Sequence, residues 1–415
     1  MNSYFLKSAL LPSGWQADVR VTTDQGFFTE ITTDTSVQPG DEVLDVVIPA
    51  LPNIHSHVFQ RAMAGRTEYK SAGQDSFWSW RELMYQLAND IDADDLYRIA
   101  KDCYAEMQAA GYASVCEFHY VHRDLKDPDN YYRHAEVLLQ AAAEVGLPIT
   151  LMPVLYAFSA VGEQPLHAEQ KRFELSVDEY LDLWQHLQKK LQPAQTLGLC
   201  FHSIRAVSQQ QMQQLIEAVP QDTPIHIHIA EQQAEVQQAL DHYGLRPVQW
   251  LFKHFEVNER WCLVHATHLD DEEVKQLAAS GAVAGLCPLT EANLGDGIFP
   301  MPAYQQAGGH WAIGSDSHIE INPASELKML EYSQRLHHQQ RNVCCDAAQP
   351  HVGTWMWLQA VAAGNQISGM PVAGLAVGQP AAVINLTPES NDQQAPQVLD
   401  GWVFSDRTEY NSRRL

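Results

Sequence analysis

The chain has 415 residues, 45% of them apolar and 19% charged, with a formal net charge of −25. Length and composition suit a folded protein with a sizeable core: two or three average domains, or one large α/β barrel with an appendage. The negative charge disfavours nucleic acid and anionic membrane as partners, and an anionic substrate would need a local cluster of cations. Seven cysteines occur without a C-x-x-C pair or a regular framework, and the adjacent Cys344 and Cys345 read as free thiols. No long apolar core precedes a cleavage-like site at the N-terminus, and no segment approaches a membrane span. A reducing cytoplasm is the expected compartment.

Residues 1–48 hold short alternating runs, such as 17–21 and 27–31, separated by turn-forming residues. Strand patterns recur at 43–48, 113–118, 149–155, 197–201, 224–229, 261–265, 282–286 and 311–314. Between most of them lie helical patterns, such as 94–110, 131–145, 178–191 and 232–243. Alternation of this kind predicts parallel β/α units, and hence an α/β fold of the (β/α)8 TIM-barrel type; a doubly wound open sheet is the runner-up. Residues 300–309 are short for a crossover helix, which makes the seventh unit the weakest. Gly374, Gly378 and Pro380 then lead into a last apolar run at 381–386. The expected division is a small β domain from residues 1–48 and 365–415, and a barrel from 49–364.

The chemistry gathers where strands end. His55-Ser56-His57 closes the apolar run Val46-Val47-Ile48-Pro49-Ala50-Leu51. Side chains two apart on an extended strand share a face, so both imidazoles can reach one ion. Three fragments extend the pattern: His226-Ile227-His228-Ile229-Ala230-Glu231, His265-Ala266-Thr267-His268 and Ser315-Asp316-Ser317-His318. Any one of these histidines, taken alone, reads better as an ordinary buried residue. Together, at matching strand ends on the active face of a barrel, they read as one metal centre. Three imidazoles and a carboxylate suit zinc with a position left for water, which becomes far more acidic there. Glu231, three residues past His228, could carry a proton from water to a leaving nitrogen. His226 lies deeper on its strand and reads as a hydrogen-bonded core residue, while His268 and His318 read as loop residues or outer partners.

The set of an H-x-H pair, two later strand-end histidines and S-D-S-H resembles the amidohydrolase superfamily, in its mononuclear deaminase branch. That resemblance implies metal ligation by His55, His57, His228 and Asp316, with His265 working on the water. Binuclear relatives place a bridging lysine at the end of the fourth strand. Here Leu199-Cys200-Phe201-His202-Ser203 has none, which implies one zinc ion per chain. The run from Leu51 to Gly65 is similar to the formimidoylglutamate deiminase family. So are Phe77-Trp78-Ser79-Trp80-Arg81-Glu82, Glu117-Phe118-His119-Tyr120 and the run from Thr290 to Gly297. The similarity extends from about Leu10 to about Pro380, after which Gln379-Pro380-Ala381-Ala382 departs from the family's usual basic and acidic pair.

This closer resemblance implies hydrolysis of N-formimino-L-glutamate to N-formyl-L-glutamate and ammonia, in histidine degradation. The family's substrate contacts fall on Gln60, Arg81, Tyr120, His202 and Arg205, and its catalytic groups on Glu231, His265 and Asp316. Guanidinium groups grip carboxylates through paired hydrogen bonds, so two arginines fit a dicarboxylate substrate. The expected protein is a cytoplasmic homodimer without nucleic-acid or membrane partners. A deaminase of a cyclic base such as guanine or cytosine would share the metal centre but favour stacking and amide contacts over two arginines. A non-catalytic metal-binding scaffold would have no use for Glu231 or His265.

Overall fold

The computed structural model describes residues 1–69, 77–390 and 392–415; the side chain of Trp78, in one of the motifs above, lies outside the described residues. Within them, alternating strands and helices build two sheets. The first four strands are β1 (Asn2–Leu11), β2 (Gly14–Asp24), β3 (Phe27–Thr32) and β4 (Glu42–Pro49). The chain then lays down β5 (Leu51–Ser56), β6 (Tyr112–His119), β7 (Ile149–Leu155), the short β8 (Gln195–Leu197) and β9 (Leu199–Ser203). It continues with β10 (Ile225–Ile229), β11 (Trp261–His265), β12 (Val283–Leu286) and β13 (His310–Ile313). Two last strands, β14 (Ala382–Thr387) and β15 (Glu409–Arg414), return to the first sheet.

Strands β5, β6, β7, β9, β10, β11, β12 and β13 are parallel neighbours in that order and form a nearly closed barrel. Helices fill the crossovers, several with their own N-caps: Asp92 accepts from the amides of Asp94 and Asp95, and Ser176 and Ser208 close capping boxes. The seventh crossover holds only the helices Pro288–Leu294 and Met301–Gln306, yet β13 still pairs in register with β12, from Val283 with His310 to Leu286 with Ile313. The smaller sheet has the order β15-β14-β4-β1-β2-β3 and is made from both ends of the chain. Leu6, Val19, Val21, Phe28, Val47 and Val383 are part of its own apolar core.

One strand assignment is corrected. The run 43–48, expected as the first barrel strand, lies in β4, which pairs in parallel with β1 and antiparallel with β14. The barrel begins after β4 and the single residue Ala50, with Leu51-Pro52-Asn53-Ile54-His55-Ser56, every residue of which is buried. Proline and asparagine are poor strand formers, which hides this segment from a pattern search. Its pairing with β6 shifts register between Leu51 and Pro52, where the missing N–H of the proline is tolerated. His55 therefore sits inside the strand, and His57 just past it. The helix Val352–Ile367 locks the junction: its Trp357 indole donates to the carbonyl of Pro49 at 2.9 Å, and its Gly364 lies against the Pro52 ring.

The barrel closes through residues beyond β13. The amide of Asp316 donates to the carbonyl of His55, and that of His57 to the carbonyl of Asp316, both at 3.0 Å. The Asn53 side-chain oxygen accepts from the amide of Ser315 at 3.0 Å, and Ser56 and Asp316 form a parallel bridge. Gly314 permits this approach, since a Cβ there would lie 2.6 Å from the Cβ of His55 and 2.8 Å from its backbone nitrogen and oxygen. Gly314→Ala should force β5 and β13 apart and lower stability by about 1–3 kcal/mol, read as a reduced denaturant midpoint. An unchanged midpoint would mean that the seam yields without cost.

Candidate active site

The register of the barrel brings distant histidines to one mouth. His228 pairs with Val264 and Ile229 with His265, so the ends of β10 and β11 lie side by side, while the seam carries His55, His57 and Asp316 together. Three ring nitrogens meet: His55 Nε2 is 3.1 Å from His57 Nε2 and 3.0 Å from His228 Nε2, and the last two are 3.3 Å apart. The Nδ1 of His57 donates to the carbonyl of Phe118 at 2.9 Å, and that of His228 to the carbonyl of His202 at 3.0 Å. Those bonds fix the tautomers and leave bare lone pairs on Nε2. Burial keeps both rings neutral, pulling His57 down to about 3 and His228 well below its ordinary range. Lone pairs packed this closely repel each other unless a cation lies among them. The spacing also matches the edge of a tetrahedron with zinc–nitrogen bonds, about 3.3 Å. The donor set fits a metal ion.

Asp316 completes the cluster. Its Oδ1 lies 3.5 Å from His55 Nε2 and 3.4 Å from His57 Nε2, and its Oδ2 lies 3.8 Å from His265 Nε2. Burial would raise this carboxyl, but hydrogen bonding to His55 and the charge of His265 outweigh it and hold Asp316 below the usual carboxylate range. Cys287 is also within metal-holding distance of His265 and Asp316. Burial, Asp316 and Glu291 push its thiol well above the ordinary value. His265 Nε2 faces Glu231 Oε1 at 3.9 Å. Burial raises Glu231 to about 7 while His265 and Arg205 pull the other way, so this carboxyl can hold a proton near neutrality. Several of these groups sit on strained backbone, with φ of +67° at His265, +48° at Ala266, +47° at Asp316 and +51° at Ala230. Such conformations in residues other than glycine persist only where the surroundings over-determine them.

The cavity above the cluster is lined by Gln60, Arg81, Tyr120, His202 and Arg205, beside His57, His228, Glu231, His265 and Asp316. His55 lies deeper, behind the others. Gln60 donates to the Tyr120 hydroxyl at 2.9 Å while its own amide oxygen has no partner. Arg205 is 7% exposed, and its Nε has no hydrogen bond, only Glu235 Oε2 at 3.9 Å. Arg81, on the helix Phe77–Asp90, lies over the ring of Tyr85 at 5.4 Å. Burial and Arg205 hold His202 well below its ordinary range, so it is neutral. Sequence reasoning gave no site role to Phe77, Trp80, Met84, Tyr85, Tyr156, Thr290 and Leu294, which complete the walls. It also missed Glu235, whose carboxylate accepts from the amides of Ala230 and Glu231 at 3.2 and 3.3 Å. Phe77, Trp80, Thr290 and Leu294 stand in the family-like runs quoted above, whereas nothing local in the sequence marks Met84, Tyr85, Tyr156 or Glu235.

The profile of the Amidohydrolase family matches residues 46–349. Residues 1–45 match that of the formimidoylglutamate deiminase HutF N-terminal domain. Formimidoylglutamate deiminase of Pseudomonas aeruginosa is 45% identical over 98% of this chain and 91% of its own length. The chain belongs to the amidohydrolase family, in its formimidoylglutamate deiminase group. An amidohydrolase of Brucella melitensis superposes with a TM-score of 0.95 at 40% identity, covering 99% of this chain and 92% of its own. The 5-methylthioadenosine/S-adenosylhomocysteine deaminase of Pyrococcus abyssi stands further off, 25% identical over 79% of this chain and 72% of its own. As an amidohydrolase with such relatives, the chain is a hydrolytic deaminase acting on a carbon–nitrogen bond, in a family that is generally metal-dependent.

The remaining histidines of the motifs serve this amidohydrolase as struts. His318 is fully buried, its Nε2 3.0 Å from Ser56 Oγ and its Nδ1 3.0 Å from Ser315 Oγ. Ser56 donates to Glu117 at 2.5 Å, and Asn53 donates to Ser315 Oγ at 2.6 Å. This chain of bonds runs behind the seam and ties the H-S-H segment to the S-D-S-H segment. His226 is buried deeper on β10, its Nε2 3.4 Å from the carbonyl of Ile367. His268 Nε2 donates to the carbonyl of Asp296 at 2.9 Å in the loop after β11.

Proposed function

We propose that the chain hydrolyses N-formimino-L-glutamate to N-formyl-L-glutamate and ammonia, with one zinc ion held by His55, His57, His228 and Asp316. The observation that carries this reading is the union, in one cavity, of a three-imidazole cluster with Arg81 and a buried Arg205. A buried guanidinium without a hydrogen-bonding carboxylate is costly, and a ligand carboxylate removes that cost. The curated relative at 45% identity has formimidoylglutamate in its name, which supports the same substrate here.

When bound, zinc supplies a water acidified to near neutrality. Asp316 takes the proton of the attacking water, and His265 orients that water through Nε2. The water oxygen bonds to the formimino carbon, and the carbon–nitrogen double bond becomes single as the terminal nitrogen takes the proton held by Asp316. Glu231 then protonates that amino group, which leaves as ammonia with the bonding pair, and recovers its proton from the hydroxyl of the adduct as the formyl carbonyl forms. Arg81 and Arg205 hold the two carboxylates, and Gln60, Tyr120 and His202 line the same cavity. Residues 49–364 are the catalytic barrel, and residues 1–48 with 365–415 the small β domain that braces it. No helix among the described residues is long and apolar enough to cross a membrane. A cytoplasmic homodimer completes the reading, to be checked by light scattering of purified protein.

Ammonia release measured across formiminoglutamate, guanine and cytosine tests the assignment. Formiminoglutamate should be the substrate by a wide margin; preference for either base would move the reading to cyclic-base deamination. Arg205→Met should lower kcat/KM for formiminoglutamate by roughly 10²-fold or more, because breaking a buried charged contact costs about 2–5 kcal/mol. Arg81→Met should act in the same direction. Fold and metal content should survive both changes, and unchanged kcat/KM in the two variants would reject the carboxylate roles.

A further inference from the structure

His265 is held between two faces. Its Nε2 looks into the site, toward Glu231 Oε1 and Asp316 Oδ2. Its Nδ1 lies 3.2 Å from Glu291 Oε1, on the far side of the ring. Glu291 belongs to the helix Pro288–Leu294, which follows β12, and is itself buried at 6% exposure. The same Oε1 accepts the amide of Cys287 at 2.9 Å, one turn earlier, while the backbone amide of Glu291 donates to the carbonyl of Cys287. The carboxylate is therefore anchored to its own helix start and has little freedom to turn away.

A carboxylate only accepts hydrogen bonds when ionised, so the nitrogen that faces it must carry the proton. With Nδ1–H committed to Glu291, Nε2 is the nitrogen that gives or takes a hydrogen bond in the site. The backbone at His265 and Ala266 is left-handed, and χ2 of a histidine is a broad, roughly two-fold torsion that takes its angle from the partners of the ring. The stacked ring of His228, 5.4 Å away at 16°, offers packing but no hydrogen bond to Nδ1.

We propose that Glu291 is a positioning residue for the hydrolytic step: by accepting Nδ1–H it sets which nitrogen of His265 meets the water and holds the ring at that angle. The proposal rests on the role given to His265 above. Glu291→Leu removes the acceptor at similar size, whereas Glu291→Gln keeps an oxygen that can accept Nδ1–H.

Glu291→Leu should lower kcat by about 10–100-fold, the usual effect of losing a partner that orients a catalytic imidazole, with KM and metal content within about twofold. Glu291→Gln should recover most of that loss. In histidine-labelled protein, an exchange-protected proton on Nδ1 of His265 should be present in the wild type and lost in Glu291→Leu. In a His265→Ala background, Glu291→Leu should have little further effect on kcat. The proposal falls if Glu291→Leu keeps kcat within about threefold while His265→Ala does not, or if the wild type carries its protected proton on Nε2. Parallel loss of kcat, metal and thermal midpoint in both Glu291 variants would also overturn it, by making the residue merely structural. Normal turnover in His265→Ala would instead overturn the underlying role of that histidine, and this proposal with it. Should Glu291→Leu not fold, the wild-type spectrum and Glu291→Gln still decide the matter.

Discussion

Glu231→Gln should lose about 10²–10⁴-fold in kcat, the range over which positioned acid–base groups contribute. The substitution keeps the size and hydrogen-bonding shape of the side chain but removes its proton chemistry. Glu231 is not one of the four proposed ligands, so metal content should stay at about one equivalent. Its backbone amide is held by Glu235, so the loop after β10 should keep its shape and substrate should still bind. The measurements are kcat across pH, metal content and the binding of substrate under single turnover. A variant with near-normal kcat at every pH would transfer the proton delivery to another group.

The second large effect is expected at His228. His228→Ala should abolish stoichiometric zinc and cost more than about 10³-fold in turnover, because the ion provides several kcal/mol of transition-state stabilisation. Chelation of the wild type should give the same loss, restored by adding zinc. His226 provides the control, as it shares the face of β10 but lies deeper, against Ile367 rather than among the clustered ring nitrogens. His226→Ala should destabilise the fold by roughly 1–3 kcal/mol yet retain the ion. Full activity and full zinc in His228→Ala would remove this histidine from the ligand set.

Much of the architecture could be read from the chain because parallel β/α units repeat a simple pattern. The strands from β6 to β13 are apolar runs with helices between them, and even the short seventh crossover kept the order. The first barrel strand escaped because it reads Leu-Pro-Asn-Ile-His-Ser, and function had taken the places where apolar residues would have marked it. The better strand pattern just before it belongs to the smaller sheet. In the site, pairs close in sequence announced themselves, as with His55 and His57. Glu291 stood in a motif singled out beforehand, yet its meeting with His265 depends on the path of β11 and β12 and on a helix start. Glu235 reads as one more polar residue on a helix until the fold sets it under two backbone amides and beside Arg205.

The bonds that finish the barrel are made by the same short segments that carry the metal-facing side chains. Binding of an ion should therefore be coupled to the fastening of the last pair of strands. A ligand that binds only the closed form stabilises it by mass action, so zinc should act as a buckle for the whole barrel. The amides of His57 and Asp316 cross the seam and report on that buckle directly. Their hydrogen exchange should slow on adding zinc far more than that of amides in β1 or β2, which belong to the other sheet. Equal slowing in both sheets would mean that the ion tightens the molecule globally and not through its seam.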